Sequence, residues 1–351
     1  MIILEIIGRP KIKYYIFVPM QLLRKILWPF SLLYGLGVLL RNLSYDLGWR
    51  KINSFQTPTI CVGNLSLGGT GKTPMIEWLI RHLSYYEKIA VLSRGYKRES
   101  TGFKVAGVES TALEIGDEPL QIQRKFPDVL VAVDGDRSRG ISRLEKEFQP
   151  DVILLDDAYQ HRKVKAGFYI LLTAYNKLYP SDHFIPTGNL RDAKNQAKRA
   201  NLIIVTKCPQ DLDEDSMEAM RKELKPTKNQ EVLFCCFDYS SRLISTAGEL
   251  NLDQFSGELV TVATGIASPE PLLQYLAELG LETRHRKYND HHQFSPTELS
   301  ALSKEKIIIT TEKDYVRGLN QLSQVYYLEV QHRFLADGKE RLLKSIGRLK
   351  R

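Results

Sequence analysis

Ser66-Leu67-Gly68-Gly69-Thr70-Gly71-Lys72-Thr73 is the stretch from which the fold can be read. It follows an apolar run, Thr59-Ile60-Cys61-Val62, and leads into a helix-like segment from Pro74 to Leu83. Strand, glycine-rich loop and helix in that order make a phosphate-binding loop of the P-loop type. The glycines let backbone N–H groups close on phosphate oxygens, and the helix N-terminus adds unpaired N–H groups and a positive dipole end. Lys72 has the reach for terminal phosphates, and the Thr73 hydroxyl suits Mg²⁺. The sequence therefore predicts a nucleoside triphosphate site over residues 66–73.

Ser66 stands where the usual pattern has Gly. The Gly68-Gly69-x-Gly71-Lys72-Thr73 core is similar to the loop of partitioning ATPases, but their second lysine, just before the paired glycines, is here Leu67.

Outward from the loop, apolar runs at 89–92, 129–133, 152–155, 169–173 and 202–205 alternate with helical patterns at 73–83, 118–126 and 137–148. Such alternation predicts an α/β fold, P-loop NTPase-like, with a mostly parallel sheet and helices on both faces. Further strands near 232–237, 259–263, 306–310 and 325–329, with helices at 269–279 and 296–303, predict a smaller C-terminal α/β domain. At 351 residues the chain fits two domains plus appendages. We divide it as residues 1–19, an extension from an upstream start codon; 20–50, an N-terminal membrane-associated helix; 51–215, the kinase-like core; and 216–351, a C-terminal domain closing over the site. Asp211-Leu-Asp-Glu-Asp reads as a solvated helix start.

The charge is uneven. Residues 1–60 carry eight basic side chains against two acidic ones, a net of +6 out of +8 for the whole chain. A nucleic-acid protein is expected to spread or stripe its charge over the fold, so no nucleic acid is expected as partner. The charge instead flanks Ile26–Leu40, 15 residues without a charged side chain. A spanning helix needs about 20. The segment suits a monotopic anchor whose basic flanks meet anionic headgroups. A buried core helix is the competing reading, and a signal peptide is disfavoured by the lack of a cleavage site. Cys61, Cys208, Cys235 and Cys236 show no metal spacing and read as reduced core residues.

Val152-Ile153-Leu154-Leu155-Asp156-Asp157 is an apolar strand ending in two carboxylates, placed to bring at least one to Mg²⁺ beside the loop threonine. The polar turn Ala158-Tyr159-Gln160-His161-Arg162 follows at the strand's carboxyl end, where ligands of open α/β sheets bind. Asp117 and Glu118 fit two roles, helix capping or metal and base chemistry. His291, beside Asp290, is either a surface histidine or a proton acceptor. Arg94 and Tyr96, with Arg137 and Arg191, stand at strand ends or Gly-containing turns, where arginine suits phosphate recognition.

Taken together, Val62-Gly63-Asn64-Leu65-Ser66 running into the loop, Ser93-Arg94-Gly95-Tyr96, Gly116-Asp117-Glu118-Pro119, Leu155 to Arg162, Pro186 to Arg191, Val205-Thr206-Lys207, Gly265-Ile266-Ala267, Asp290-His291-His292 and Thr311-Glu312-Lys313-Asp314 resemble the tetraacyldisaccharide 4′-kinase (lipid A 4′-kinase) family in order, from about Met20 to about Gln331. Ser66 also matches that family's loop. The resemblance implies transfer of the ATP γ-phosphate, with Mg²⁺, to the 4′-hydroxyl of a tetraacyl glucosamine disaccharide 1-phosphate. It implies a peripheral or monotopic enzyme on the cytoplasmic face of the bacterial inner membrane, with anionic lipids and the lipid disaccharide as partners and no obligate protein partner. Carried over, Ser66, Leu67, Gly68, Gly69, Thr70, Gly71, Lys72 and Thr73 hold ATP. Thr73, Asp156, Asp157 and Glu118 form the metal set. Asp117 and His291 are the catalytic pair, with Lys72 beside them. Arg94, Tyr96, Arg137, Gln160, His161 and Arg191 face substrate. Three departures are visible: Ala158-Tyr159 replaces the family's Gly-Phe, Asp192 replaces a Glu one methylene longer, and a second usual Pro is absent. Two other classes compete with a kinase, a partner-regulated P-loop switch and a membrane-bound nucleotide-binding scaffold without chemistry.

Overall fold

The computed structural model describes Arg24, residues 26–83 and residues 85–350. The expectation about residues 1–19 lies outside them. Among the described residues the first named element is helix α1 (Trp28–Asp46), followed by strand β1 (Thr59–Asn64), the glycine-rich loop and helix α2 (Lys72–His82). β2 (Ile89–Ser93), β3 (Lys104–Val105), α3 (Ala112–Ile115), α4 (Asp117–Lys125), β4 (Leu130–Val133), α5 (Arg137–Glu147) and β5 (Val152–Asp156) follow. Next come β6 (Phe168–Ala174), β7 (Leu202–Thr206), α6 (Glu214–Leu224), β8 (Glu231–Ser245), β9 (Gly248–Asn251), β10 (Leu259–Thr264), α7 (Glu270–Glu278) and β11 (Glu282–Lys287). The chain closes with α8 (Pro296–Leu302), β12 (Ile308–Thr311), α9 (Glu312–Val316), β13 (Val325–Phe334) and α10 (Gly338–Gly347).

The strands form one mixed sheet ordered β11-β10-β12-β13-β8-β7-β6-β1-β5-β2-β4-β3, with β9 paired to β8. Most pairs are parallel; β13 with β8, β3 with β4 and β8 with β9 are antiparallel. β1 lies between β5 and β6, in register Val62 to Asp156 and Val62 to Ile170. Every residue of β1, β2, β5 and β7 is buried, which is why these strands read as unbroken apolar runs rather than alternations. One core cluster on the sheet joins Ile60, Val62, Met75, Ile76 and Leu79 to Leu342 and Ile346 of α10. The end of the chain thus packs against the start of the sheet.

β8 joins two parts of the sheet. Glu231–Phe234 pair with β7, and positions 235–244 pair with β13. The segment after β8 is thereby held against the loop. All four cysteines are free and buried.

Helix α1 presents its polar and small residues inward. Ser31, Gly35, Val38, Asn42 and Tyr45 are buried, while Trp28, Phe30, Leu33, Leu36, Leu40 and Leu43 are exposed. A Cβ on Gly35 would stand 2.7 Å from the Phe184 ring, so this glycine permits the close approach. The competing reading as a buried core helix does not hold, because its largest apolar side chains face out. No helix among the described residues is long and apolar enough to cross a membrane.

Candidate active site

The loop leaves β1 at Asn64 and enters α2 at Lys72. Gly68 and Gly71 have φ of +115° and +82°, backbone that a side chain strains. The end of β1 and three distant elements fasten the loop. Asn64 Nδ2 donates to Thr70 Oγ1 at 2.9 Å, and Thr206 Oγ1, from the end of β7, donates to the Thr70 carbonyl at 2.9 Å. His332 Nε2 of β13 donates to the Gly71 carbonyl at 2.9 Å, and the Leu67 N–H donates to the Asn189 carbonyl at 2.7 Å. The segment Asn189–Arg191 therefore runs beside the loop, with Ser66 bridged to Leu190.

Asp156 closes β5 and is almost fully buried. Its Oδ2 accepts from Ser93 Oγ at 3.1 Å, and its Oδ1 is buried with no hydrogen-bond partner. Burial, then the nearby Glu118 and Asp157, raise its carboxyl to about 7. Asp157 is the opposite case. Its backbone turns to φ +47°, ending the strand, so the expected alternation stops there. Arg191 grips both of its oxygens, and Lys72 Nζ lies 3.7 Å from Oδ1. Burial alone pushes Asp157 up, but Lys72 and Arg191 outweigh it and hold it well below the usual range.

A lone buried carboxylate oxygen at a strand end, whose charge burial disfavours, has the chemistry to accept a hard cation. The donors Asp156, Thr73 and Glu118 fit Mg²⁺. Asp157 is already neutralised by two cations and is the poorer ligand. Glu118 is held by Lys313, and burial, which raises it, is overcome by Lys313 and Lys72.

The third cluster lies where α4 begins. His291 Nδ1 is 3.2 Å from Asp117 Oδ2, joining residues 174 positions apart. His291 sits at φ +60° in its loop, and the exposed Tyr96 packs edge-on against its ring at 5.3 Å. Arg317 Nε donates to the same Asp117 oxygen at 2.6 Å. Burial raises Asp117, but His291 and Arg317 together bring it below the ordinary value, so it is ionised at neutral pH.

The residues expected at substrate divide into groups. Tyr96 is at the Asp117–His291 cluster, and Arg94 is exposed two residues before it. His161 is half-buried, and burial, then Arg137 and Arg94, push its imidazole down to about 4. Arg191 is committed to Asp157 and to Asn64. Arg137, expected at substrate, is turned inward instead. It is 1% exposed, and its guanidinium donates to the carbonyls of Asp134 and, at 3.1 Å, Asp156, fixing the end of β5. Gln160 likewise spends its amide on the Asn64 carbonyl at 2.6 Å.

The departures at Tyr159 and Asp192 have local explanations. The Tyr159 ring is buried, and its hydroxyl finds the Gln196 carbonyl at 2.8 Å. Asp192 is fully buried and faces α1, taking Asn42 Nδ2 at 2.8 Å and Arg41 at 3.1 Å.

Three further cations were not predicted for the site. Lys313 reaches Glu118, and Arg317 reaches Asp117. Lys207 lies over the Phe237 ring, with its ammonium 3.9 Å from where a Gly69 Cβ would stand, and burial lowers it to about 8. Thr206-Lys207 and Thr311 to Asp314 were recognisable stretches, but nothing local in them tells which side chain turns to the loop.

A family model described as tetraacyldisaccharide-1-P 4′-kinase matches residues 23–347. The chain belongs to this family. Its relatives include the tetraacyldisaccharide 4′-kinases of Flavobacterium johnsoniae, 48% identical over 90% of this chain and 94% of the relative, and of Bacteroides thetaiotaomicron, 39% identical over 92% of each. Among solved structures, LpxK from Aquifex aeolicus in complex with ATP superposes with a TM-score of 0.76 at 29% identity, covering 93% of this chain and 99% of that one. The family's relatives therefore match nearly the whole chain, including the loop, β5, α4 and the His291 loop.

Proposed function

We propose that the chain is an ATP-dependent kinase that phosphorylates the 4′-hydroxyl of a tetraacyl glucosamine disaccharide 1-phosphate. The carrying observation is the convergence of an ionised Asp117, paired to His291, with the glycine-rich loop and the Asp156 carboxylate. Glu118, adjacent in sequence to Asp117, feels the charges of both Lys72 and Asp157. A proton acceptor and a phosphate cradle thus share one site. The names of the relatives supply the acceptor.

Loop amides and Lys72 hold the phosphates in line. Asp156, Thr73 and Glu118 would hold Mg²⁺, and the ion would supply neutralisation of phosphate charge there. The acceptor oxygen forms a bond to the γ-phosphorus, and the bond to the bridging oxygen breaks with its electron pair on ADP. The hydroxyl proton passes to Asp117. Held below the ordinary range, Asp117 is a weak base, which suits a loose transition state in which the proton leaves late. Residues 51–215 form the kinase core and residues 216–351 close over it, bringing His291, Lys313 and Arg317.

The exposed apolar face of α1 lies in one leaflet at the cytoplasmic face of the inner membrane, with Arg24 and Arg50 toward anionic headgroups. This keeps the acyl chains of the substrate in the bilayer while the sugar reaches the site.

The test is transfer of label from [γ-³²P]ATP to the tetraacyl disaccharide 1-phosphate in detergent micelles, for wild type and Asp117→Asn. Lipid labelling by wild type, reduced about 10²-fold or more in Asp117→Asn, supports the reading. A folded, ATP-binding wild type that leaves the lipid unlabelled rejects it.

A further inference from the structure

Arg317 has no side-chain exposure, and all its nitrogens are engaged. Nε donates to Asp117 Oδ2 at 2.6 Å, and Nη2 is 3.1 Å from His291 Nδ1. Nη1 donates to the Gly265 carbonyl and to Asp314 Oδ1, both at 2.9 Å. Asp314 is itself buried and held by the Gly265 N–H at 2.9 Å and Thr311 Oγ1 at 2.7 Å, so the guanidinium is fixed in place.

His291 Nδ1 also lies 3.2 Å from Asp117 Oδ2. These contacts are not all hydrogen bonds at once. A guanidinium has only donors and keeps its protons in proteins. A proton on Nδ1 would serve Asp117 but meet the Nη2 hydrogen donor to donor. A lone pair on Nδ1 accepts from Nη2 and leaves the approach to Asp117 as a packed contact. The second arrangement leaves no donor against a donor: Oδ2 keeps the shorter, charge-assisted bond from Nε, adjacent N–H groups of one planar fork reach two neighbouring acceptors, and the guanidinium charge beside both offsets the repulsion between them.

We infer that Arg317 is the positioning residue of the site, bridging Asp117 and His291 and holding His291 in the tautomer protonated on Nε2. The inference rests on the proposed role of Asp117 as acceptor of the hydroxyl proton. Arg317 occupies Oδ2, which leaves Oδ1 to the acceptor hydroxyl. It also removes His291 from any proton relay through Nδ1. The imidazole instead offers Nε2–H on its far edge, where Asp290 Oδ1 lies 4.0 Å away. The hydroxyl proton then rests on Asp117 until solvent takes it.

Two measurements on the full chain test this. Histidine-selective ¹⁵N NMR of wild type, recorded about two pH units above the ordinary histidine pKa and with the signal assigned by its loss in His291→Gln, reads the tautomer directly. A protonated Nε2 and bare Nδ1 are expected; a protonated Nδ1 overturns the inference. Arg317→Met and Arg317→Lys are then assayed for lipid phosphorylation. The expected result is a kcat lowered about 10²-fold with Met and at least about tenfold with Lys, which keeps the charge and loses the fork, at an ATP KM within about twofold of wild type. Wild-type kcat in both variants overturns it. Should neither variant fold, the wild-type nitrogen spectrum decides alone. Full activity in Asp117→Asn would remove the parent reading. An inactive Asp117→Asn beside fully active Arg317 variants would remove only this inference.

Discussion

His332 donates from Nε2 to the carbonyl of Gly71 at 2.9 Å, so a strand near the end of the chain holds the loop near its start. A carbonyl only accepts, so Nε2 carries the proton, and Nδ1 is left for the Cys235 thiol at 3.3 Å. A neutral imidazole fills both contacts, and protonation of Nδ1 breaks the second.

Acid should therefore loosen the fold through this residue. Burial first, then Lys207, pushes His332 down to about 4, and burial with Arg137 and Arg94 does the same to His161. In the unfolded chain both titrate near 6.5. The unfolded state then binds protons first, so stability rises with pH across that window. The contribution is whole above about 6.5 and is lost as pH falls toward 4, with roughly 3 kcal/mol at stake for His332. Denaturant midpoints across pH should show this slope, and His332→Gln should flatten it in part. An unchanged slope in the variant would remove His332 from the account.

Gly71→Ala should disable the loop without touching a charged group. The added Cβ would stand 2.8 Å from His332 Cε1, on backbone at φ +82°. Strain of about 1–3 kcal/mol is expected, relieved by moving either the loop or the imidazole. ATP affinity should fall at least about tenfold by calorimetry, since that strain falls on the phosphate cradle. Unchanged affinity would mean the loop does not meet the phosphates at Gly71.

The two carboxylates at the end of β5 should separate under mutation. Asp156 Oδ1 is an orphaned buried oxygen, whereas Asp157 is clamped by Arg191 and Lys72. Asp156→Asn is expected to raise the Mg²⁺ needed for half-maximal activity by at least about tenfold. Asp157→Asn should leave that requirement near wild type and raise the ATP KM instead, because it frees Lys72. Magnesium titrations of both variants check the contrast, and the reverse ranking would assign the metal to Asp157.

What was legible in the sequence was local. The loop announces itself through glycine spacing, and β1, β2, β5 and β7 through continuous apolar runs, because both faces of those strands are covered. β11, Glu282-Thr-Arg-His-Arg-Lys, carries no apolar residue and gave no strand signal; as an edge strand it needs only backbone pairing to β10. The inward turn of Arg137 was hidden for another reason. A guanidinium that caps carbonyls and one that binds phosphate look the same until the surrounding backbone is known. Arg317 meets Asp117 across 200 positions, and Asp192 meets Asn42 across 150, so neither pairing has a local signature.

The position of α1 gives the last prediction, which separates docking of the helix from its use. Asp192 holds the helix inward through Asn42 and Arg41, while Ser31 Oγ meets Thr187 Oγ1 at 2.7 Å and Tyr34 donates to the Arg191 carbonyl at 3.1 Å. Asp192→Ala leaves those donors unpaired at a cost of about 1–3 kcal/mol. It should raise amide exchange in residues 28–46. Leu33 and Leu36 face out and touch none of this network, so Leu33→Gln with Leu36→Gln should leave the thermal melt and ATP binding near wild type. The same pair should weaken binding to anionic vesicles, since each leucine contributes about 1.5–3 kcal/mol when it leaves water. At least about tenfold less protein should then sediment with vesicles at limiting lipid, and phosphorylation of vesicle-borne substrate should fall in parallel. A double variant that sediments and phosphorylates like wild type would mean that this face does not meet the bilayer. The docking contacts through Asp192 would then be the whole role of α1, with its leucines exposed for some other partner.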